Sequence, residues 1–345
     1  MGWDRRRGNA TADAVMTGSP SGAPRTLLVA STGGHLEELY RLRRRMPEVG
    51  AVGWATFDDA QSRSMLTGER VHLVPYIAPR DAAGTLAVSG RAVQILRRGG
   101  YGRVISTGAA IAVPFLAAAR ALGRDAHYIE SAARSQGPSM TGRLVACVPG
   151  VSLYTQYAAW ADRRWRLGPS LFDAYFAATM PSSLTAGEEI RAHRVVVTLG
   201  TMRTYGFRAA LEGLARTLPD VLAPGAEVLW QVGCTDAAGL PIEARASVPS
   251  AEMHAAVAAA DLVVAHAGIG SALTALDAGL CPVLLPRRAS RREHVDDHQL
   301  LIADDLEARG IAVARDPGAL TADDLRLALR TRVSLGAPAL FDLAL

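Results

Sequence analysis

The chain has 345 residues, 49% of them hydrophobic and 20% charged, with a formal net charge of +4, the composition of a soluble globular protein long enough for two ordinary cores. Three cysteines, Cys147, Cys234 and Cys281, stand far apart and outside any Cys-x-x-Cys or paired-histidine spacing, which excludes a disulfide framework and a zinc site and fits a reducing cytosol. The longest apolar run, Ala109 to Ala119, falls well short of the roughly 20 residues of a spanning helix and contains Pro114, so nothing is expected to cross a bilayer.

Residues 1–24 are rich in Gly, Ala, Ser and Thr, lack the apolar core of a signal peptide, and read as a disordered tail. From Arg25 onward, short β-branched runs alternate with stretches of helical period, the pattern of strand-helix-strand units on a parallel sheet. Strands are predicted at "RTLLVA", "VGWATF", "VHLVPY", "RVISTG" and "DAHYIE", with helices between them at Leu36 to Arg45 and Thr85 to Arg97. The pattern dissolves around Trp160 to Glu189 and resumes at "RVVVTLG". Strands then follow at "AEVLWQVG", "DLVVAHAG", "CPVLLP" and "IAVA", with helices near 207–217, 270–279 and 295–308. The expected fold is α/β, with two Rossmann-like, doubly wound domains at 25–165 and 193–345, a linker at 166–192, and the ligand cleft at the carboxyl ends of the strands.

Three strand ends carry glycine: "VASTGGHLEEL", "VVTLGTMRTYGF" and "VVAHAGIGSALTAL". A glycine at a strand-to-helix turn lets a ligand approach the backbone, and the following helix offers free N–H groups and a dipole to an anion such as a diphosphate. None of the three spells a dinucleotide fingerprint or a Gly-x4-Gly-Lys phosphate loop, and Asp-x-Asp occurs nowhere. A diphosphate here would be managed by dipoles and cations rather than a metal clamp. His35 directly follows the pair Gly33 and Gly34, at the helix mouth, as a general base for a hydroxyl nucleophile would; a capping role in its own loop is the plainer alternative. A second polar cluster, "RREHVDDHQLL", opens a helix after "CPVLLP", where acids complement the dipole and where carboxylate and amide groups suit sugar hydroxyls. No metal is expected at His294 and His298. Arginine clusters at 41–45, 95–103 and 286–292 suit phosphates or anionic lipid headgroups, or else solvate a face.

The strings "VVVTLGT", "PSAEMHAAVAAADLVVAHAGIGSALTAL", "GLCPVLLPRR" and "EHVDDHQ" make the second half resemble the donor-binding domain of glycosyltransferase family 28. Within it, the resemblance is nearest to the catalytic subunit of the two-subunit transferase that adds N-acetylglucosamine to dolichol diphosphate N-acetylglucosamine. The first half, through "STGGHLEEL", "VISTGAAIAVPFLAAARALG", "YIESAARSQGPSMTGRL" and "LYTQY", resembles the membrane-recruiting partner subunit and its bacterial exopolysaccharide relatives, as though both subunits were fused. The resemblance spans roughly residues 26 to 315 and implies the GT-B type of fold, with the acceptor on the first domain and a UDP-sugar on the second.

By that resemblance His35 is the base. The diphosphate and nucleotide fall to Gly33, Gly34, Gly200, Thr201, His266, Gly268, Gly270, Ser271 and Thr274. Glu293, Asp297, His298 and Gln299 take the donor sugar, and Glu130, Ser131 and Arg134 shape the acceptor side. The chain departs from the family at Thr274, where a ribose-binding Glu is usual; Asp277 offers a carboxylate one turn further on. The expected activity is an inverting, metal-independent transfer of a hexose such as N-acetylglucosamine from a UDP-sugar to a lipid-linked or other glycan acceptor, in the cytoplasm, with peripheral contact to an anionic membrane face. No cofactor and no nucleic-acid partner are expected. A UDP-sugar epimerase on the same fold and a non-catalytic membrane scaffold for a separate transferase remain the alternatives.

Overall fold

The computed structural model describes residues 24–47, 49–77, 81–179, 190–201, 204–294 and 296–343; the predicted tail, up to Ala23, and linker residues 180–189 lie outside them. The first domain runs β1 (Thr26–Ala30), α1 (Gly34–Arg43), β2 (Val52–Phe57), α2 (Ala60–Met65), β3 (Val71–Val74), α3 (Ala82–Gly99), β4 (Arg103–Gly108), α4 (Ala112–Ala121), β5 (Asp125–Ile129), α5 (Met140–Ala146), β6 (Ser152–Thr155) and β7 (Trp165–Leu167). Its seven strands are all parallel, in the order β3-β2-β1-β4-β5-β6-β7. Strand β1 is buried at every position, because helices cover both faces and a strand so enclosed is a continuous apolar run. Leu28 packs toward α1 while Leu27 and Val29 join the core under α3 and α4, as period-two alternation requires. The apolar run that holds Pro114 is α4, buried on the sheet, with the proline in the first turn where its missing N–H costs no helix bond. No helix among the described residues is long and apolar enough to cross a membrane.

After β8 (Tyr175–Thr179), the second domain runs β9 (Ala192–Thr198), α6 (Arg208–Thr217), β10 (Leu222–Gln231), β11 (Ala244–Arg245), α7 (Ser250–Ala258), β12 (Leu262–His266), α8 (Ile269–Asp277), β13 (Val283–Leu285), α9 (His298–Ala308), β14 (Val313–Ala314), α10 (Ala322–Arg330) and β15 (Thr331–Leu335). Its parallel sheet has the order β11-β10-β9-β12-β13-β14. In each sheet the strand order reverses once, between β1 and β4 and between β9 and β12, and these switch points open the crevices in which such sheets bind ligands.

The chain does not end inside the second domain. Strand β15 pairs antiparallel with β8, Thr331 opposite Thr179 and Leu335 opposite Tyr175, and the segment beyond it returns to the first domain. There the Phe341 amide donates to the Arg45 carbonyl at 2.7 Å and the ring lies 5.5 Å from that of Tyr154. One buried cluster consequently includes Leu28 and Ile105 of the first domain, Val196 and Val264 of the second, and Phe341.

Candidate functional site

Each switch point holds a histidine built the same way. In the first domain, β1 ends into Gly33, Gly34 and His35, and His35 leans across to β4, its Nδ1 3.0 Å from the Thr107 carbonyl. The Thr107 hydroxyl returns a bond to the His35 carbonyl at 2.8 Å. The approach needs a glycine beside it, since a Cβ on Gly108 would lie 2.9 Å from His35 Cε1. In the second domain, His266 ends β12 and its Nδ1 faces the Thr198 carbonyl of β9 at 3.4 Å. Gly200, with φ +78°, and Gly268 enclose that ring: a Cβ on either would come within 2.8 or 2.4 Å of it.

Burial lowers both imidazoles to about 4; the bonds to Thr107 and Thr198 oppose the shift, and Arg134 and His298 reinforce it at His35, as Arg287, His294 and His298 do at His266. Both rings are therefore neutral at pH 7. A neutral imidazole facing a carbonyl must carry its proton on that nitrogen, so Nδ1–H donates and Nε2 keeps its lone pair. The two lobes converge, because His298 of the second acts on His35 of the first. Their loops also meet directly: a Cβ on Gly34 would lie 3.9 Å from Ile269 Cβ.

Opposite His35, the first turn of α8 leaves the amides of Ile269, Gly270 and Ser271 without intrahelical acceptors, and no neighbour crowds Gly270. Thr201 is exposed at the mouth of the β9 loop. Other predicted groups are engaged within the protein. Gln61 accepts from the Gly33 amide at 2.5 Å and donates to the Gly33 carbonyl at 3.2 Å, so that amide is already used. The Thr274 hydroxyl bonds the Gly270 carbonyl of its own helix at 2.8 Å. Asp277 is held by Arg41 at 2.6 Å and by the Tyr175 hydroxyl, and so it ties α8 to α1 rather than standing free for a ribose.

The cluster after β13 divides the same way. Glu293 accepts from the Arg288 amide at 3.0 Å, Asp297 from the Ala289 amide at 2.8 Å, and the buried Gln299 from the Arg287 amide at 3.1 Å. These bonds shape the loop, and His298 remains at the cleft with Nδ1 on Asp296. Helix α9 starts at His298; of the predicted 295–308, Val295 lies outside the described residues. Across the cleft Arg134 donates to Asp296 at 2.8 Å, and His294, His298 and Arg134 together hold the Asp296 carboxyl far below the carboxylate range against its burial. His294, Asp296 and His298 each bring one ligand atom within 4.8 Å of the others; the Arg134 guanidinium on Asp296 opposes a second cation there. Ser131 and Glu130 lie below the cleft, Ser131 donating to Glu38 at 2.7 Å.

Sequence reasoning took Arg287 only as a member of the 286–292 arginine cluster; it lies under the β9 loop and is 1% exposed. It donates to the carbonyls of Leu199, Tyr205, Gly206 and Glu293 at 2.8 to 3.2 Å and stacks 4.8 Å over Phe207. It fixes the loop that carries Gly200. Gln61 and Thr107 were passed over, and of these only Thr107 had a local signal, the Thr-Gly ending of a predicted strand; Asp296 was read only as part of the polar cluster before α9.

Two Rossmann-like domains whose switch points face each other across a cleft define the GT-B class of glycosyltransferase architecture. The family model of the glycosyltransferase family 28 C-terminal domain matches residues 195–329, within the second of them. The chain is 28% identical over 313 residues to the UDP-N-acetylglucosamine--N-acetylmuramyl-(pentapeptide) pyrophosphoryl-undecaprenol N-acetylglucosamine transferase of Synechococcus sp. (strain RCC307), covering 84% of this chain and 82% of that protein. In fold it is similar to the crystal structure of Acinetobacter baumannii MurG, with TM-score 0.55, 18% identity, and 88% and 89% of the two chains covered. The glycosyltransferase SnogD of Streptomyces nogalater gives TM-score 0.58, 22% identity and coverage of 89% and 91%. A putative UDP-N-acetylglucosamine 2-epimerase from Listeria monocytogenes gives 0.54, 12%, and 88% and 93%.

Proposed function

We propose that the protein is an inverting, metal-independent hexosyltransferase that moves N-acetylglucosamine from UDP-N-acetylglucosamine to a hydroxyl of a lipid-linked or other glycan acceptor. The observation that carries this reading is the meeting of His35 with the amino terminus of α8 across the cleft. His35 Nε2 takes the proton of the acceptor hydroxyl as its oxygen attacks the anomeric carbon from the face opposite UDP. The bond from that carbon to the diphosphate oxygen breaks, the configuration inverts, and the departing charge falls on the α8 amides and dipole beside His266. Gly200, Thr201, Gly268, Gly270 and Ser271 line the diphosphate side, His298 faces the sugar, and Glu130, Ser131 and Arg134 bound the acceptor. The Synechococcus relative, named for a UDP-N-acetylglucosamine donor and an undecaprenol-linked acceptor, supports the same substrate classes. Exposed Leu86 on α3 and Met140 and Leu144 on α5, with Arg143 between the latter two, support peripheral contact with an anionic membrane.

The test is incubation with UDP-N-acetylglucosamine and a polyprenyl-diphosphate-linked acceptor in excess EDTA, with UDP release and the new linkage read by mass spectrometry and NMR. Acceptor-dependent UDP release and a β-linked product are expected. Conversion of the donor to its 2-epimer without acceptor, the reaction in the Listeria neighbour's name, would replace transfer by epimerisation.

A further inference from the structure

Away from the cleft, at the opposite end of the first sheet, a cavity of about 270 Å³ lies between the start of β3 and the last turns of α3. Arg70 and His72, two residues apart, line it from the strand side, and Arg91, Gln94 and Arg98, at helical spacing, line it from the helix. Two lining residues are braced from behind: the buried Tyr101 hydroxyl lies 2.8 Å from His72 Nε2, and a Cβ on Gly99 would stand 2.1 Å from the Tyr101 ring. No carboxylate lines the cavity, and Arg70, Arg91 and Arg98 form no ion pair among the described residues. Other arginines do meet carboxylates, as at Arg41, Arg134, Arg288, Arg309 and Arg315. The dipole of α3 accounts for cations in its last turn, Arg97 and Arg98, but not for Arg91 two turns earlier or Arg70 just before β3.

We propose that this cavity is a second anion site, independent of the cleft, which takes a phosphate or diphosphate group between Arg70, Arg91 and Arg98. Guanidinium forks bond phosphate oxygens in pairs, and three of them match a multiply charged group better than a lone carboxylate. His72 reports on the local charge: burial first, then Arg70 and Arg91, lower its imidazole, and a bound anion reverses the contribution of those two guanidiniums. The group could arrive on a soluble ligand or on a lipid headgroup.

The experiment titrates the full-length protein with sodium pyrophosphate and follows the His72 imidazole by NMR. A saturable shift and a raised His72 pKa are expected, with affinity lowered at least about tenfold in Arg70→Ser/Arg91→Ser/Arg98→Ser and lowered in the milder Arg91→Gln, while the melting curve and glycosyl transfer stay as in the parent. A second arm measures sedimentation with phosphatidylglycerol vesicles. Retention that pyrophosphate displaces, and that the triple variant loses, assigns the site to a headgroup; pyrophosphate binding with unchanged sedimentation assigns it to a soluble phosphate. An unmoved His72 with equal sedimentation of parent and variant, or an equal His72 response in both, overturns the proposal. The His72 readout is local, so it stands whether or not the cleft transfers sugar.

Discussion

His35 owes its chemistry to residues far from it in the chain. Thr107 takes its Nδ1 proton, Gly108 leaves the ring room, and Arg134 and His298 make a second positive charge unwelcome. The result is a base that stays neutral across the physiological range. Replacing His35 by Ala should lower turnover by about 10²-fold or more, the usual size of a lost general base, with UDP affinity measured by calorimetry nearly unchanged. The acid limb of kcat/KM for the parent should fall near pH 4 rather than near 6.5, because the unprotonated ring is the active form and burial depresses its pKa. Stability carries the same sign: between pH 4 and 6.5 the unfolded chain binds the extra proton, so this contribution weakens the fold as pH drops through that window. A parent rate limb at 6.5, or near-parental turnover in the variant, removes His35 from the chemistry.

Two buried carboxyls with opposite fates hold the loop that carries Arg134, Glu38 from α1 and Glu130 from the end of β5. Glu130 accepts four bonds, from the Ser139 amide and hydroxyl, the Ser131 amide and the Tyr128 hydroxyl, at 2.9 to 3.2 Å, a set that satisfies an ionised group although burial pushes its pKa up. Glu38 meets only the Ser131 hydroxyl at 2.7 Å and the Ala132 amide at 3.2 Å, and burial raises it from 4.5 to about 8. It is thus a neutral acceptor for Ser131 at pH 7, a charge state glutamine copies. The folded chain holds this proton between pH 4.5 and 8 where the unfolded chain has lost it, so parent stability should decline as pH rises toward 8. Thermal melts of Glu38→Gln should show a flatter alkaline decline than the parent with turnover retained; parallel declines would refute the assignment. The glutamate pair also marks the limit of what the sequence discloses. Strands such as β1 and β12 were legible because burial on both faces writes them as nearly unbroken apolar runs, β4 and β9 because they hold β-branched runs, and the glycines and His35 because they adjoin such runs. Strands β8 and β15 were not: each is a short, half-exposed segment that pairs with the other across about 150 residues of chain. Glu38 and Gln61 escaped for the same reason, as did the particular roles of Asp296 and Arg287 within their clusters, since these depend on which groups the fold brings opposite them.

At the scale of the molecule, the lobes are joined by more than a linker. Arg41 meets Asp277, Arg134 meets Asp296, and Arg309 meets Asp173 at 2.9 Å, but these pairs are partly exposed and each is worth little. The stronger tie is apolar. Phe341, carried back from the second domain by β15, is 2% exposed, and it packs on Tyr154 and so closely on Gly168 that a Cβ there would stand 2.5 Å from its ring. Arg45, which accepts the Phe341 amide bond, in turn donates to the Ser170 and Leu171 carbonyls at 2.8 and 3.0 Å, so the returning segment closes on the very stretch that leaves the first domain. Because the shared core lets neither lobe shed its partner without exposing apolar surface, calorimetry of the parent should show one cooperative transition. Phe341→Ala should cost about 3 to 5 kcal/mol, as emptied aromatic sites do, and should separate the melting of the two lobes into resolved steps with the first domain melting earlier. Two resolved transitions in the parent, or a Phe341→Ala variant that melts as one unit at the parental temperature, would show that the lobes are coupled by the cleft contacts instead.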